Sequence, residues 1–297
     1  MESLHYFAQL LVTGVLQGGI LALLSVGLSL IFGVVRVVNF AQADFMMLGM
    51  YAVFFVAGAF AINPTLLALL AFIPAVLIGA LVYQLVIQRV HAATEVLGGV
   101  ENAQLMITLA VSLILQNSAL MAFGANPRMV QSGQVLQVWN LWGVTVDKPR
   151  SLAFVVAMLI GGGLLWVLRT GVGRSIRAAA DDAEAAAYCG IEVGRVYAAS
   201  FAIAVGLSAV AGGILVSYYP VQPLTGMNFL LLMFTAVLLG GLGNVGGAMF
   251  GGLILGLLQS LAGLILPLQL SNLVVFGVFL IVLFFKPNGI FGKAQRV

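Results

Sequence analysis

The sequence predicts an all-α fold, a polytopic membrane helical bundle with eight or nine transmembrane spans. Two observations carry this. Hydrophobic residues make up 62% of the 297 residues and charged residues 7%, with a mean hydropathy of +1.16, whereas a soluble domain carries about 25% charged residues. The charges that exist are also so widely spaced that the gaps between them mark out spans. Twelve Lys+Arg and 9 Asp+Glu cannot solvate a water-facing surface of this size. Soluble enzymes, nucleic-acid binders and disordered chains are excluded together.

A helix crosses the hydrocarbon core in about 20 residues. No charge falls between His5 and Arg36, Asp44 and Arg89, Glu101 and Arg128, or Arg150 and Arg169, and the gap from Arg195 to Lys286 is the longest. Taken in order, these gaps place spans near 8–32, 43–60, 65–88, 103–123, 151–168, 196–218, 227–242, 246–266 and 271–285. Asn63-Pro64, Tyr219-Pro220 with Pro223, and Pro267 separate neighbours as turn signals. The seventh and ninth spans are short, and the Gly-rich junction 240–247 could instead be a re-entrant break. The first residues lack the basic region and small-residue cleavage site of a secretory signal, so the first apolar stretch is expected to be a retained span.

Orientation follows from Lys and Arg. With nine spans and the N-terminus outside, the inside holds Arg36, Arg89, Arg169, Arg174, Arg177, Arg195, Lys286, Lys293 and Arg296, and the outside Arg128, Lys148 and Arg150. The bias puts the C-terminus in the cytoplasm. Trp139 and Trp142 in the outer loop 124–150 suit an interfacial belt or a small core of that loop. Cys189 is the single cysteine, so no intramolecular disulfide forms, and His5 and His91 are too far apart in sequence to suggest a metal site.

Glycines four residues apart (Gly14 and Gly18; Gly243, Gly247 and Gly251; Gly252 and Gly256) let helix backbones approach closely in lipid. Packing within the chain is the favoured use, and a subunit interface the other.

Residues 169–195 are the one soluble-looking stretch. Ser175–Cys189 is Ala-rich and strongly helix-forming, Gly190 is placed to end that helix, and Arg177 and Asp181 stand at an i,i+4 spacing that favours pairing. The face formed by Ala178, Ala179, Ala185 and Ala186 is too thin for a core of its own. It fits a shallow groove on another protein or a connector lying at the membrane surface.

Three blocks carry a family resemblance. Glu184-Ala185-Ala186 followed after three residues by Gly190 resembles the E-A-A-x3-G cytoplasmic loop of bacterial ABC importer permeases, and the surrounding Gly173-Arg174-Ser175-Ile176-Arg177-Ala178, with Asp181, Gly190-Ile191 and Phe201, resembles the branched-chain amino acid permease family. Val38-Asn39-Phe40-Ala41-Gln42-Ala43-Asp44-Phe45-Met46-Met47-Leu48-Gly49-Met50-Tyr51 and Gly240-Gly241-Leu242-Gly243-Asn244-Val245-Gly246-Gly247 are similar to signatures of the branched-chain amino acid permease family. The resemblance covers about residues 8–292. Two departures stand out: the I-x-L-P tail of the wider E-A-A loop is missing, and Gln42-Ala43 replaces the commoner His-Gly. Urea permeases share much of the pattern.

The resemblance implies that residues 1–297 form a single ABC importer permease domain in a bacterial inner membrane, with 169–195 as its cytoplasmic coupling segment. It implies a second permease subunit, two ABC ATPase subunits and a periplasmic substrate-binding protein as partners. Arg177, Asp181, Glu184, Ala185, Ala186 and Gly190 would couple to the ATPase. No G-x-x-x-x-G-K-[ST] loop occurs in the chain, so this chain is expected to bind no cofactor and ATP-Mg to be used by the partner subunits. The cargo implied is a branched-chain or related hydrophobic amino acid; urea or an amide is the alternative within the same fold.

Polar side chains within spans are costly and often functional. Asn39, Gln42, Asp44, Gln116, Asn117, Asn244 and Gln259 are therefore the candidates for the substrate pathway. Asp44, Asn39, Gln116, Asn117 and Gln259 each have a structural alternative. Asp44 would sit near the inner interface in the first turn of the second span, where the helix dipole favours a carboxylate, and that capping role outweighs substrate contact. Asn39 reads as an N-cap, and Gln116-Asn117 and Gln259 as interhelical hydrogen-bonding pairs. A stand-alone channel or carrier would need in-membrane charges for ion coupling, which the stretch from Arg195 to Lys286 lacks. An intramembrane enzyme is disfavoured too: Asp181-Asp182 has no second acidic motif beside it, and Ser208 has no histidine in a span to activate it.

Overall fold

The computed structural model describes residues 2–36, 38–60, 62–90, 100–130, 138–141, 144–264, 267 and 270–292. Trp142, His91, Lys293 and Arg296 lie outside them. The helices are α1 (Glu2–Val35), α2 (Gln42–Phe60), α3 (Pro64–Leu70), α4 (Phe72–Val82), α5 (Val100–Phe123), α6 (Lys148–Val167), α7 (Gly171–Asp181), α8 (Ala183–Tyr188), α9 (Val193–Leu215), α10 (Thr225–Gly240), α11 (Val245–Ala262) and α12 (Ser271–Phe285).

Among the described residues, seven helical stretches are long and apolar enough to cross a membrane: His5–Val35, Gln42–Phe60, Pro64–Val90, Ala103–Phe123, Lys148–Val167, Val193–Leu215 and Val245–Ala262. The remaining two of the nine expected spans are α10, of 16 residues, and α12, of 15. At 1.5 Å per residue they reach only about 24 and about 22 Å, against a hydrocarbon core of about 30 Å. The third stretch is broken rather than uniform. Pro74 cannot donate to the carbonyl of Leu70, and the helix is interrupted at Ala71. It then passes through one π-helical turn at Tyr83–Ile87.

The described residues are mostly helical, as expected, with one small β element. Loop 124–150 contains an antiparallel hairpin, β1 (Val138–Leu141) with β2 (Val144–Asp147), in which Trp139 pairs with Val146. Alternating aromatic and β-branched residues (Val138, Trp139; Val144, Thr145, Val146) suit a pleated ribbon. Gln9 near the start of α1 donates through Nε2 to the Thr145 carbonyl at 2.6 Å, so the hairpin lies at the N-terminal end of α1.

α1 and α9 form the middle of the bundle, with residues 20–31 and 200–216 of each almost continuously buried. The predicted glycine pairs meet one another inside the chain. A Cβ on Gly256 would strike the Gly18 backbone, one on Gly252 would strike Ala22, and one on Gly14 would lie 2.9 Å from the Ser260 side chain. α1 and α11 therefore run antiparallel in backbone contact, and Gly247 and Gly251 perform the same service for α11 against Gly240 and Ala236 of α10. Close approach gives the dispersion contact that holds helices together where lipid removes any hydrophobic drive.

The junction 240–247 is a tight turn between two helices. Gly241 and Gly243 adopt positive φ (100° and 75°), and Asn244 caps α11, its Oδ1 accepting from the Gly247 N–H at 3.0 Å.

Candidate functional site

The break between α1 and α2 sets the geometry of the interior. Arg36, with φ +55°, ends α1 and reaches α7, its guanidinium donating to the Ala180 carbonyl at 3.0 Å. Nine residues earlier, a Cβ on Gly27 would lie 3.2 Å from both Gln42 Nε2 and the Ala204 carbonyl. Nine helical residues rise about 13 Å, and the six-residue run to Gln42 can span up to about 20 Å when extended. The chain therefore reaches the α7 end of the bundle at Arg36, turns, and climbs back beside α1 before α2 begins.

Asp44 lies in the first turn of α2 as expected, and that helix starts beside Gly27 of α1 and Ala204 of α9, buried and short of the end of α1. Unpaired backbone at that depth would cost several kcal/mol per group, and the segment supplies its own partners. Asn39 Oδ1 accepts from the Ala41 N–H at 3.1 Å, and Thr108 donates to the Val38 carbonyl at 3.2 Å. Asn39 Nδ2 donates to Gln42 Oε1 at 3.2 Å. Asn39 and Gln42 are both fully buried. Gln42 Nε2 continues into α9, to the Ala204 carbonyl at 2.9 Å and Ser208 Oγ at 2.6 Å.

Asp44 opens a second network. Its carboxylate, 1% exposed, points across to α5 instead of capping its own helix. Oδ2 accepts from the Ser112 hydroxyl and Oδ1 from Gln116 Nε2 at 3.0 Å. Gln116 Nε2 also reaches Ser112 Oγ at 3.1 Å. No Lys or Arg forms an ion pair with Asp44 among the described residues. Its charge is met by helix ends: Asp44 lies in the first turn of α2, and the first turn of α10 is beside it, where a Cβ on Gly226 would lie 2.6 Å from Oδ1. Two N-termini aim partial positive charge at one carboxylate.

Against this cluster lies a cleft of about 200 Å³, lined on one side by Gln116, Asn117 and Leu120 of α5 and on the other by Gln222, Pro223 and Leu224 before α10. Asn117 holds its own helix, donating to Leu113 O at 2.7 Å, and is exposed. Beyond it Arg128 donates to the Phe123 carbonyl at 2.7 Å and lies over the Phe54 and Phe55 rings.

The other two pathway candidates lie elsewhere. Gln259 belongs to a relay from Gln17 Nε2 (2.9 Å) on to Asn272 Oδ1 (3.0 Å), joining α1, α11 and α12. Asn244 caps α11 and donates to the Phe291 carbonyl at 2.9 Å. Sequence reasoning did not single out Ser112, Gly226 or Gln17. Ser112 carried a usable signal, standing four residues before Gln116 on the same helix face.

The segment 169–195 folds as two short helices, not the single helix expected over Ser175–Cys189. Asp182 leaves helical geometry (φ −149°, ψ 107°), and its side chain accepts from the Ala185 N–H at 3.0 Å. An aspartate that can cap competes with helix continuation even among alanines. Arg177 does not pair with Asp181; its guanidinium donates to the Leu168 carbonyl. Ile176, Ala179 and Ala186 are buried, while Ala185, Glu184 and Tyr188 face outward. Gly190 ends α8 at φ +83° with a Schellman closure, its N–H on Ala187 O (2.9 Å) and the Ile191 N–H on Ala186 O (3.0 Å).

Apolar helices long enough to span a membrane and, among the described residues, one buried carboxylate beside a small cleft form the setting in which the family is read. The chain belongs to the family described as the branched-chain amino acid transport system / permease component, which matches residues 10–283. It is 31% identical to the high-affinity branched-chain amino acid transport system permease protein BraD of Pseudomonas aeruginosa, over 99% of both chains. It is 30% identical to the corresponding protein LivH of Escherichia coli K12, over 99% of this chain and 98% of that one. The ribose import permease protein RbsC of Bacillus subtilis is 34% identical over 43% of this chain. No solved structure matches the chain.

Proposed function

We propose that this chain is the transmembrane permease subunit of an ATP-driven importer that moves branched-chain or related hydrophobic amino acids across a bacterial inner membrane. The observation that carries the reading is the match to this permease family across residues 10–283. On this reading residues 1–297 act as one permease domain beside a second permease subunit. Two ABC ATPase subunits using ATP-Mg dock on the cytoplasmic side, a periplasmic binding protein delivers the cargo from the other side, and the chain itself holds no cofactor.

The Arg36 end faces the cytoplasm, in keeping with the excess of Lys and Arg assigned there. α7 and α8 form the coupling element: Ile176, Ala179 and Ala186 seat it on the bundle, and Glu184, Ala185 and Gly190 face the ATPase. Arg177 holds the element to the end of α6 through Leu168, and Asp181 ends α7. The pathway runs past Asn39, Gln42, Asp44, Gln116 and Asn117, whereas Asn244 and Gln259 hold helices together.

The test is uptake of labelled L-leucine by the assembled complex in proteoliposomes, with binding protein outside and ATP within. Uptake that needs both supports the reading. Uptake with neither, or of urea in preference to leucine, replaces it.

A further inference from the structure

Helix ends and neutral donors meet the Asp44 carboxylate, but among the described residues no Lys or Arg forms an ion pair with it. An ionised carboxylate accepts at about four lone-pair positions, and here it receives two neutral side-chain donors, Ser112 and Gln116. The cleft beside it is lined by amides and aliphatic groups without a Lys, Arg or His. A volume of about 200 Å³ is below the range of drug-sized pockets and suits one small solute. Its lining is divided: Gln116, Asn117 and Gln222 offer amides, and Leu120 and Leu224 an aliphatic wall.

Gln116 is the cover between cleft and carboxylate. It lines the cleft, its Nε2 occupies Asp44 Oδ1, and its Oε1 receives no donor from the described residues. On the other side Oδ1 packs closely against Gly226, where a Cβ would lie 2.6 Å from it, so Gln116 is the group that can be exchanged.

Resting on the transport reading above, we infer that this cleft is a docking site for a zwitterionic aliphatic amino acid. Its ammonium group turns the Gln116 amide aside and takes its place on Asp44 Oδ1. The exchange replaces a neutral hydrogen bond by a charge-assisted one. The Gln116 Oε1 then accepts a second ammonium N–H, the Asn117 and Gln222 amides take the carboxylate, and the side chain lies on Leu120 and Leu224. The ammonium is thus the group recognised by charge.

The experiment uses the complex purified with its partner subunits in nanodiscs, carrying A125C on a C189S background, and reads the rate of maleimide labelling at position 125, which is exposed and lines the cleft. L-Leucine and isopentylamine, which keep the ammonium, are expected to slow labelling about threefold or more, equivalent to two-thirds occupancy. 4-Methylpentanoate, which lacks it, is expected to leave the rate unchanged. D44N is expected to abolish protection by leucine. Should D44N fail to assemble, L120W decides: Leu120 is exposed and lines the cleft, and a tryptophan there is expected to raise the leucine concentration needed for half-protection. Equal protection by 4-methylpentanoate, or undiminished protection in D44N or L120W, overturns the site. Leucine uptake by the unlabelled complex separates the two readings. Uptake without protection refutes the docking site alone, and absence of uptake refutes the transport reading.

Discussion

Gln42 Nε2 donates to Ser208 Oγ at 2.6 Å, tying the first residue of α2 to the middle of α9. The same nitrogen reaches the Ala204 carbonyl, and Asn39 closes the other end of the amide. The N–H groups at the start of α2 are paired separately, Gln42 N–H with the Asn39 carbonyl at 3.3 Å and Asp44 N–H with the Ala41 carbonyl at 3.0 Å, as a helix start buried in the bundle requires.

That anchor has a measurable strength. Gln42→Leu removes the donor to Ala204 and Ser208 and orphans Asn39 Nδ2, so a loss of about 1–3 kcal/mol is expected from the unsatisfied buried groups. Ser208→Ala removes one partner only and should cost nearer the ~0.6 kcal/mol typical of interhelical hydrogen bonds in membranes. Unfolding from mixed micelles, run as a double-mutant cycle, reads the coupling. Strictly additive losses would mean that the two side chains do not interact.

Gly256→Leu should prevent folding of the isolated chain, since its Cβ would strike the Gly18 backbone and move α1 off α11. Backbone atoms cannot be repacked as side chains can, and overpacking of this kind costs about 1–3 kcal/mol or more. Gly58→Leu, with nothing within 4 Å of its Cβ, should leave thermal stability unchanged. A stable Gly256→Leu monomer that fails only to bind its partner subunit would show that this glycine row is an intersubunit surface instead.

At Gly190 the expected defect is in coupling. The residue holds φ +83° with open space around its Cβ, so Gly190→Val strains the backbone by about 1–2 kcal/mol without a clash. Glu184→Ala removes an exposed charge from the first turn of α8. Both variants should insert normally and retain ATP hydrolysis by the complex, while leucine uptake falls about tenfold, the equivalent of 1.4 kcal/mol. Wild-type uptake in both would contradict the assignment of α7–α8 as the coupling element.

The relay through Gln259 should be separable from transport. Gln17→Leu with Gln259→Leu removes the donor and acceptor between α1 and α11 together, which avoids leaving one of that pair buried alone. The expected result is an unchanged KM for leucine and reduced thermal stability. A raised KM with unchanged stability would return Gln259 to the pathway.

Much of the architecture was legible in the sequence because charge and hydropathy act locally. A run such as 196–215 without a charge has few alternatives to a span. Gly190 was recognisable as a helix terminator from its place after an alanine run. Asn244 was different: its capping hydrogen bond is local, yet it follows a glycine turn and reads equally well as an in-span polar group. The hairpin 138–147 was missed for a related reason, since two four-residue strands give little periodicity. Asp182 broke the predicted helix because a capping side chain outweighs a few tenths of a kcal/mol of alanine propensity.

Composition and spacing alone determined that this protein is a membrane bundle, roughly where its helices lie, and which polar side chains stand out among them. Only the tertiary structure decided what those side chains do. It showed Asp44, in the first turn of α2, as a buried acceptor for Ser112 and Gln116, joined Gln42 to Ser208, and sent Gln259 to a separate relay. The physical reason is that hydropathy is a property of each residue and its neighbours in sequence, whereas a hydrogen bond between Asp44 and Gln116 spans 72 positions. It exists only because α2, starting beside Gly27 and Ala204, brings Asp44 against α5.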